Sequence, residues 1–206
     1  MSRMKDKLID EMNEEREEAE YQRLCFLLDP HHGNADPATP ENQQRLKQMR
    51  EREHGMKLNL GCSDRHFDGF QNVDLAPPAD VIADLNAPWP WETSTIEEIR
   101  AWDLIEHLRS PIHTMNEAWR VLRPGGRFDI EVPTTDGRGW AQDPGHISWP
   151  PWNRNSFFYY EHGNPHLTRF APMNGVRCAF RIVSEEEKVL ADRVSKLHIV
   201  LEAVKA

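Results

Sequence analysis

An α/β fold built on a mostly parallel sheet is what this 206-residue chain predicts, and three observations predict it. Two short apolar runs, Lys57 to Leu60 and Gln71 to Leu75, flank a polar, glycine-containing turn, and runs of that length between turn residues read as buried parallel strands. Pro111 to Leu122 carries Ile112, Met115, Ala118, Trp119 and Leu122, the i, i+3, i+4 stripe of an amphipathic helix. Near the C-terminus Val176, Cys178, Phe180 and Ile182 alternate with other residues, which is the period of a strand with one buried face. The length suits one α/β domain with a substantial core and is short for two.

Taken in order, Ser2 to about Leu28 favours helix, with Leu8, Ile9, Met12, Ala19, Leu24 and Leu27 or Leu28 as an irregular apolar stripe and EEREEAE as a solvated face. DPHHGNADPATP is dense in breakers and reads as loop. His31 and His32 in it have no cysteine or carboxylate at ligand spacing and are expected in solvent. Thr39 as N-cap and Pro40 at the first helical position start a second helix, expected to run to about Glu53 and stop at Gly55. Residues 1–55 are thus expected as a helical extension and 56–206 as the main domain. The link from Ser63 to Phe70 is short for a parallel crossover, which normally takes about a dozen residues, so at most one helical turn is expected there. Ala79 to Ala83 and Glu97 to Trp102 follow as third and fourth strands, and Arg123 to Gly126 as a turn whose glycines take positive φ before a strand from Arg127 to Val132. From 133 to 175 prolines, glycines, histidines and aromatics crowd together without clear period, the signature of a functional loop region, with one short helix in NSFFYYEH. Val176 to Ser184 and Leu197 to Ala203 close the reading as two strands.

A net charge of -9 argues against a surface for gripping phosphates, which draws on clustered Lys and Arg, so a nucleic-acid partner is not expected. Three widely spaced cysteines, Cys25, Cys62 and Cys178, suggest neither a disulfide framework nor a paired-thiol metal site. The N-terminus lacks an apolar signal region and no run approaches the roughly 18 apolar residues of a membrane span. The expectation is a soluble cytoplasmic protein; nothing in the residues speaks to oligomeric state.

Ligands of parallel sheets bind at the carboxyl ends of the strands. Gly61 ends the first strand, where a residue without Cβ lets backbone approach a ligand closely, and Asp74 ends the second, where a carboxylate can accept from two ribose hydroxyls. That pair suggests a nucleoside-containing cofactor.

At this point the sequence resembles a known family. LNLGCS and NVDL, then ADLNAPWPW, AWDLIEHL and WRVLRPGGRFDIEVP, follow in the order and spacing of the class I S-adenosylmethionine-dependent methyltransferases, in the type 11-like branch whose first motif reads L-N-L-G-C-G. The match covers roughly residues 56 to 133; Ser63 stands where the family has its second glycine, and Asn59 where it has an acidic residue. The resemblance implies a Rossmann-like, mostly parallel seven-stranded sheet closed by an antiparallel C-terminal hairpin, with S-adenosyl-L-methionine as cofactor. It places Leu60, Gly61, Cys62 and Ser63 against the methionine moiety, Asp74 on the ribose with Leu75 beside it, Asp84 on the adenine amino group, Leu85 near the ring and Trp89 as an apolar or stacking wall, with core packing the bland reading of Trp89. Asp103 falls where cofactor and acceptor would meet.

Methyl transfer is an in-line displacement in which the cofactor carries the activated group, so the protein supplies positioning and, for poor nucleophiles, a base. Asp103, Glu106 and His107 at the end of the fourth strand, and His146 in QDPGHIS, are the candidate catalytic residues; a carboxylate beside an imidazole orients the ring and raises its pKa. The bland reading of Glu106 and His107 is that they brace the following helix. Asp136, Asp143, Asn153, Tyr159, Tyr160 and His162 are further polar groups for a substrate pocket. No metal site is expected: Gly163 and Pro165 prevent Glu161, His162 and His166 from sharing a helical face. A nicotinamide dehydrogenase would need glycines at 63 and 66, where Ser63 and His66 stand. Amino-directed and cytosine-carbon DNA methyltransferases would need Asn/Asp-Pro-Pro-aromatic or Pro-Cys motifs that the fourth strand lacks. The expectation is therefore an S-adenosylmethionine-dependent methyltransferase acting on a small-molecule or sugar acceptor, and the alternative a methyltransferase-like binding protein without turnover.

Overall fold

The computed structural model describes residues 17–30, 32–136, 139–190 and 193–205, and the chain divides into two compact units, Met1–His54 and Gly55–Ala206. In the first unit a helix α1 spans 17–28 and α2 spans Pro40–His54; the remainder of the expected first helix, 2–16, lies outside the described residues. Thr39 caps α2 by accepting the Asn42 N–H at 3.3 Å, and Arg45 donates to the Leu28 carbonyl at 3.3 Å, joining the helices.

The second unit is a seven-stranded, mostly parallel α/β sheet closed by an antiparallel C-terminal hairpin. Its strands are β1 (Met56–Leu60), β2 (Gln71–Asp74), β3 (Val81–Ile82), β4 (Ile96–Trp102), β5 (Leu122–Pro133), β6 (Phe180–Val189) and β7 (Ser195–Ala203), in the order β3-β2-β1-β4-β5-β7-β6. β1 to β5 run parallel and β7 runs antiparallel to both β5 and β6. Helix α3 (Pro111–Val121) begins at Ser110, whose side chain accepts the His113 N–H, with Pro111 as first residue; this is a position where the missing proline N–H has no cost. Its Met115 and Ala118 enter the same core as Leu58, Ile99, Phe128 and Ile199.

The crossover from β1 to β2 contains no helix, as its length required. Side-chain amides take the place of helical hydrogen bonds. Asn59, buried on β1, donates to the Arg65 carbonyl at 2.7 Å and to Asn72 Oδ1 at 2.9 Å, and that same Asn72 oxygen accepts the Phe67 N–H at 3.0 Å. Asn59 is thus the brace of the turn, and this accounts for an amide where the resembled family has an acid.

Four expectations are corrected. The third strand shrinks to Val81–Ile82 because Asp80 is taken up as a side-chain acceptor for the Asn72 backbone and amide, at 2.8 and 3.0 Å. Arg123 to Gly126 form a bulge inside β5: Ile96 pairs with Leu122 and Glu98 with Arg127, so Glu97 alone faces four residues, and of the two glycines only Gly125 takes positive φ. β6 starts at Phe180, since Asn116 holds the Arg177 N–H at 2.7 Å and the Gly175 carbonyl at 2.8 Å and so keeps 175–177 out of the ladder. Among its described residues the irregular region holds three helices where one was expected, α4 (Gly139–Gln142), α5 (Arg154–Phe158) and α6 (Pro165–Asn174); Asn153 and Ser156 form a capping box at α5. Among the described residues, no helix is long and apolar enough to cross a membrane.

Candidate active site

The carboxyl ends of β1, β2 and β4 carry the residues singled out by the sequence. Leu60 and Cys62 are buried on either side of Gly61, which sits at φ +65°. A Cβ at Gly61 would lie 2.8 Å from Leu104 Cδ1, so both conformation and space require glycine there. Ser63 also adopts the left-handed region, at φ 47°, where the resembled family has glycine. Its N–H donates to Asp74 Oδ2 at 2.8 Å, and the Leu75 N–H donates to Asp74 Oδ1 at 2.6 Å. Both oxygens of the carboxylate are oriented by backbone, and each keeps a lone pair for a further donor. The bend after β1 and the acid after β2 are therefore one hydrogen-bonded unit, with Leu75 exposed beside it.

The adenine-side assignments fare differently. Asp84 is exposed and accepts both the backbone and amide N–H groups of Asn86, which hold its carboxyl below the usual range. Leu85 is a core residue, and Trp89 is 3% exposed with its indole N–H on the Leu85 carbonyl at 3.0 Å. Trp89 is a packing residue: its ring stands edge-on to Trp91 at 6.2 Å and has no face toward solvent.

A cavity of about 550 Å³ opens at the ends of β4, β5 and β7, lined by Asp103, Glu106, His107, Asp143, His146 and Lys196 among others. All four candidate catalytic residues meet there. Asp103 sits at φ 52°, and its carboxylate accepts from Lys196 Nζ at 2.7 Å, while Glu131 accepts from the same ammonium at 3.0 Å. Partial burial alone would lower the lysine pKa; the hydrogen bonds to Asp103 and Glu131 outweigh it and hold the ammonium above its usual range. Arg65, two residues beyond Ser63, lies 3.8 Å from Asp103 and links the bend to this cavity.

Deeper in, Glu106 belongs to a 3₁₀ turn, Ile105–His107, and is 1% exposed. Burial pushes its carboxyl up to about 8; a hydrogen bond from its own backbone and the charge of Lys196 oppose the shift, and Asp103 and Asp143 add to it. The loop carrying His146 is fastened to this turn, because Ile147 and Ser148 both donate their N–H groups to the Glu106 carbonyl at 3.0 Å. This brings the His146 ring to 4.9 Å from that of His107, across 39 positions of sequence. Of the other pocket candidates, Asp143 lines this cavity. Asn153, Tyr159 and Tyr160 line a separate one of about 530 Å³ beside the start of α3. Asp136 and His162 are exposed, and the His166 side chain lies outside what is described.

Lys196 lines the cavity at the ends of β4, β5 and β7 and was not among the residues the sequence singled out. SKLHIVLEA reveals by its alternation that Lys196 and His198 share a face away from the core, but the partner of that lysine depends on β7 lying beside β5, which no local pattern encodes.

No family model matches the chain, and no curated protein matches it. Among solved structures it is similar to an S-adenosylmethionine-dependent methyltransferase from Methanosarcina mazei, at 12% identity, covering 75% of this chain and 94% of that one, with a TM-score of 0.47. It is likewise similar to one from Mesorhizobium loti, at 16% identity over 80% of this chain and 98% of that one, with a TM-score of 0.44. A third is the Burkholderia thailandensis 1,6-didemethyltoxoflavin-N1-methyltransferase, solved with 1,6-didemethyltoxoflavin and S-adenosylhomocysteine, at 16% identity over 92% of this chain and 90% of that one, with a TM-score of 0.46.

Proposed function

We propose that this chain is an S-adenosylmethionine-dependent methyltransferase acting on a small-molecule or sugar acceptor. The observation that carries the reading is the Ser63 N–H to Asp74 hydrogen bond of 2.8 Å, which joins a backbone bend and a ribose-type carboxylate at neighbouring strand ends, where parallel sheets bind ligands. Leu60, Gly61, Cys62 and Ser63 would lie against the methionine moiety and Asp74 would hold the ribose hydroxyls. Leu75, exposed beside Asp74, and Asp84 would face the adenosine. When bound, S-adenosylmethionine supplies an activated methyl group.

On the acceptor side, the volume near 550 Å³ suits a small molecule, since such pockets run from roughly 300 to 1,000 Å³. Asp103 is positioned by Lys196 and Arg65 at the junction between the bend and this cavity. Glu106, His107 and His146 form its inner polar end, and the imidazole lone pairs there are able to take up a proton from a hydroxyl or amine acceptor.

Two measurements test the reading. Calorimetric titration with S-adenosylmethionine should give saturable one-to-one binding, and incubation of a metabolite extract with donor labelled on the methyl group should give a labelled product. No binding at millimolar donor defeats the proposal. Binding without any labelled product would favour the non-catalytic alternative.

A further inference from the structure

We propose that Glu106, His107 and His146 form a binding site for one divalent first-row transition metal ion at the inner end of the cavity. One ligand atom from each lies within 4.8 Å of the other two, and the groups are presented as metal ligands are.

The tautomers come first. His107 Nδ1 is 2.9 Å from the Gly145 carbonyl and His146 Nδ1 is 3.0 Å from the Trp140 carbonyl. A carbonyl oxygen only accepts, so both Nδ1 atoms carry the proton and both Nε2 atoms carry lone pairs. A carbonyl on the far nitrogen is the outer-shell arrangement that fixes ring orientation in metal-binding histidines. Gly145 is suited to this role, since a Cβ there would lie 3.2 Å from His107 Nδ1.

The carboxylate comes second. Glu106 Oε2 is fully buried and has no hydrogen-bond partner among the described residues, a condition that costs free energy unless something fills the vacancy. Asp143 adds negative charge, with Oδ2 at 3.9 Å from His146 Nε2. Two imidazoles, each with its Nδ1 engaged by a carbonyl, and a buried carboxyl group thus lie within reach of one point, and a cation is the complement to all three at once. A proton on Glu106 would satisfy one imidazole lone pair and leave the other unmatched.

The ligand set names the class of ion. Two nitrogens and one oxygen, without thiolate, suit zinc, manganese, iron or cobalt in the divalent state rather than a soft monovalent ion or a hard all-oxygen one. Ligand atoms around such an ion stand roughly 3 to 3.5 Å apart, given bonds of about 2.1 Å, so binding draws the three side chains inward. Three protein ligands leave a position open to solvent or to an oxygen of a bound molecule, whose acidity the ion would raise. With the ion bound the imidazole lone pairs are occupied, and the acidifying effect of the ion takes the place of the imidazole base; only this last consequence rests on the methyltransferase reading, and ion binding itself does not.

The test uses tag-free full-length protein stripped with chelator and titrated with zinc or cobalt(II) alone, without methyl donor. The expected result is one ion per chain by calorimetry, a visible cobalt d–d spectrum characteristic of nitrogen and oxygen ligation, and magnesium binding at least tenfold weaker. His107→Ala and His146→Ala should each weaken binding at least about 100-fold, more than loss of an outer-shell partner does. Glu106→Gln should do so with the circular dichroism spectrum unchanged, and His113→Ala, outside the cluster, should bind as the unaltered chain does. If Glu106→Gln does not fold, the loop variant His146→Ala still decides. Absence of zinc and cobalt binding by the unaltered protein overturns the inference, and so does unchanged binding by the His107→Ala/His146→Ala double variant; neither result bears on donor binding.

Discussion

On one face of the seven-stranded sheet Leu58, Ile99, Phe128, Ile199 and Leu201 are at most 1% exposed. On the other, the alternate side chains of Lys57, Arg100, Asp129 and His198 keep between 17% and 39% of their surface in solvent. Sheets assembled by parallel crossovers are usually covered by helices on both faces, and here the first crossover has none. What stands on the second face is a ladder of charges: Lys57 with Glu98 at 2.9 Å, Arg100 with Asp129 at 3.9 Å, and His198 with the same aspartate at 2.8 Å. Phe67, Phe70 and Trp102 surround the Arg100 guanidinium, with ring centroids 4.4 to 4.7 Å away. The difference teaches that one sheet can be held by burial on one side and by cation–π and ion-pair contacts on the other. It also shows where the polar groups of the cavity come from: Glu131 and Lys196 are the last members of the charged ladder at the ends of β5 and β7.

Substitutions on the two faces should therefore differ in size. Phe128→Ala, in the centre of the apolar face, should cost about 3 to 5 kcal/mol in urea unfolding; a loss below about 1 kcal/mol would mean that burial on that face is not what holds the sheet. At the strand ends, Asp74→Ala should weaken S-adenosylmethionine binding by about 1 to 3 kcal/mol, the range for losing a charged hydrogen-bond partner, and calorimetry that finds an unchanged dissociation constant removes Asp74 from the site. Arg100→Ala on the charged face should cost about 1 to 2 kcal/mol through its aromatic contacts. Arg100→Met, which keeps the stem, should recover part of that loss in the same unfolding experiment. The smallest effect belongs to Arg181, whose side chain is 66% exposed in its pair with Glu202. Arg181→Ala should change stability by less than about 1 kcal/mol, and the change should vanish at high salt; a larger, salt-insensitive loss would show that the charged face is stiffer than its exposure indicates.

Legibility in the sequence followed the range of the interactions. The strands β1, β2, β4 and β7 and the helix α3 were legible because alternation and the 3.6-residue period are local consequences of which face is buried. The candidate residues the sequence offered lie at or just after strand ends: Gly61, Asp74, Asp103, Glu106 and His107 all do. His146 was a candidate only by residue type. Its place next to His107 is owed to two N–H groups bonding one carbonyl of Glu106, a contact without sequence period. The bulge in β5 and the late start of β6 escaped for the same reason, since register depends on a partner strand.

By itself the sequence determined the sheet's two faces, the glycine bend and the acids at the strand ends, because each arises from a side chain's relation to its own neighbours in the chain. Only the tertiary structure decided that Trp89 is core, that Lys196 holds Asp103, and that Glu106, His107 and His146 line one cavity. The last two are encounters between segments 39 to 93 residues apart, and their geometry is set by strand order and loop closure.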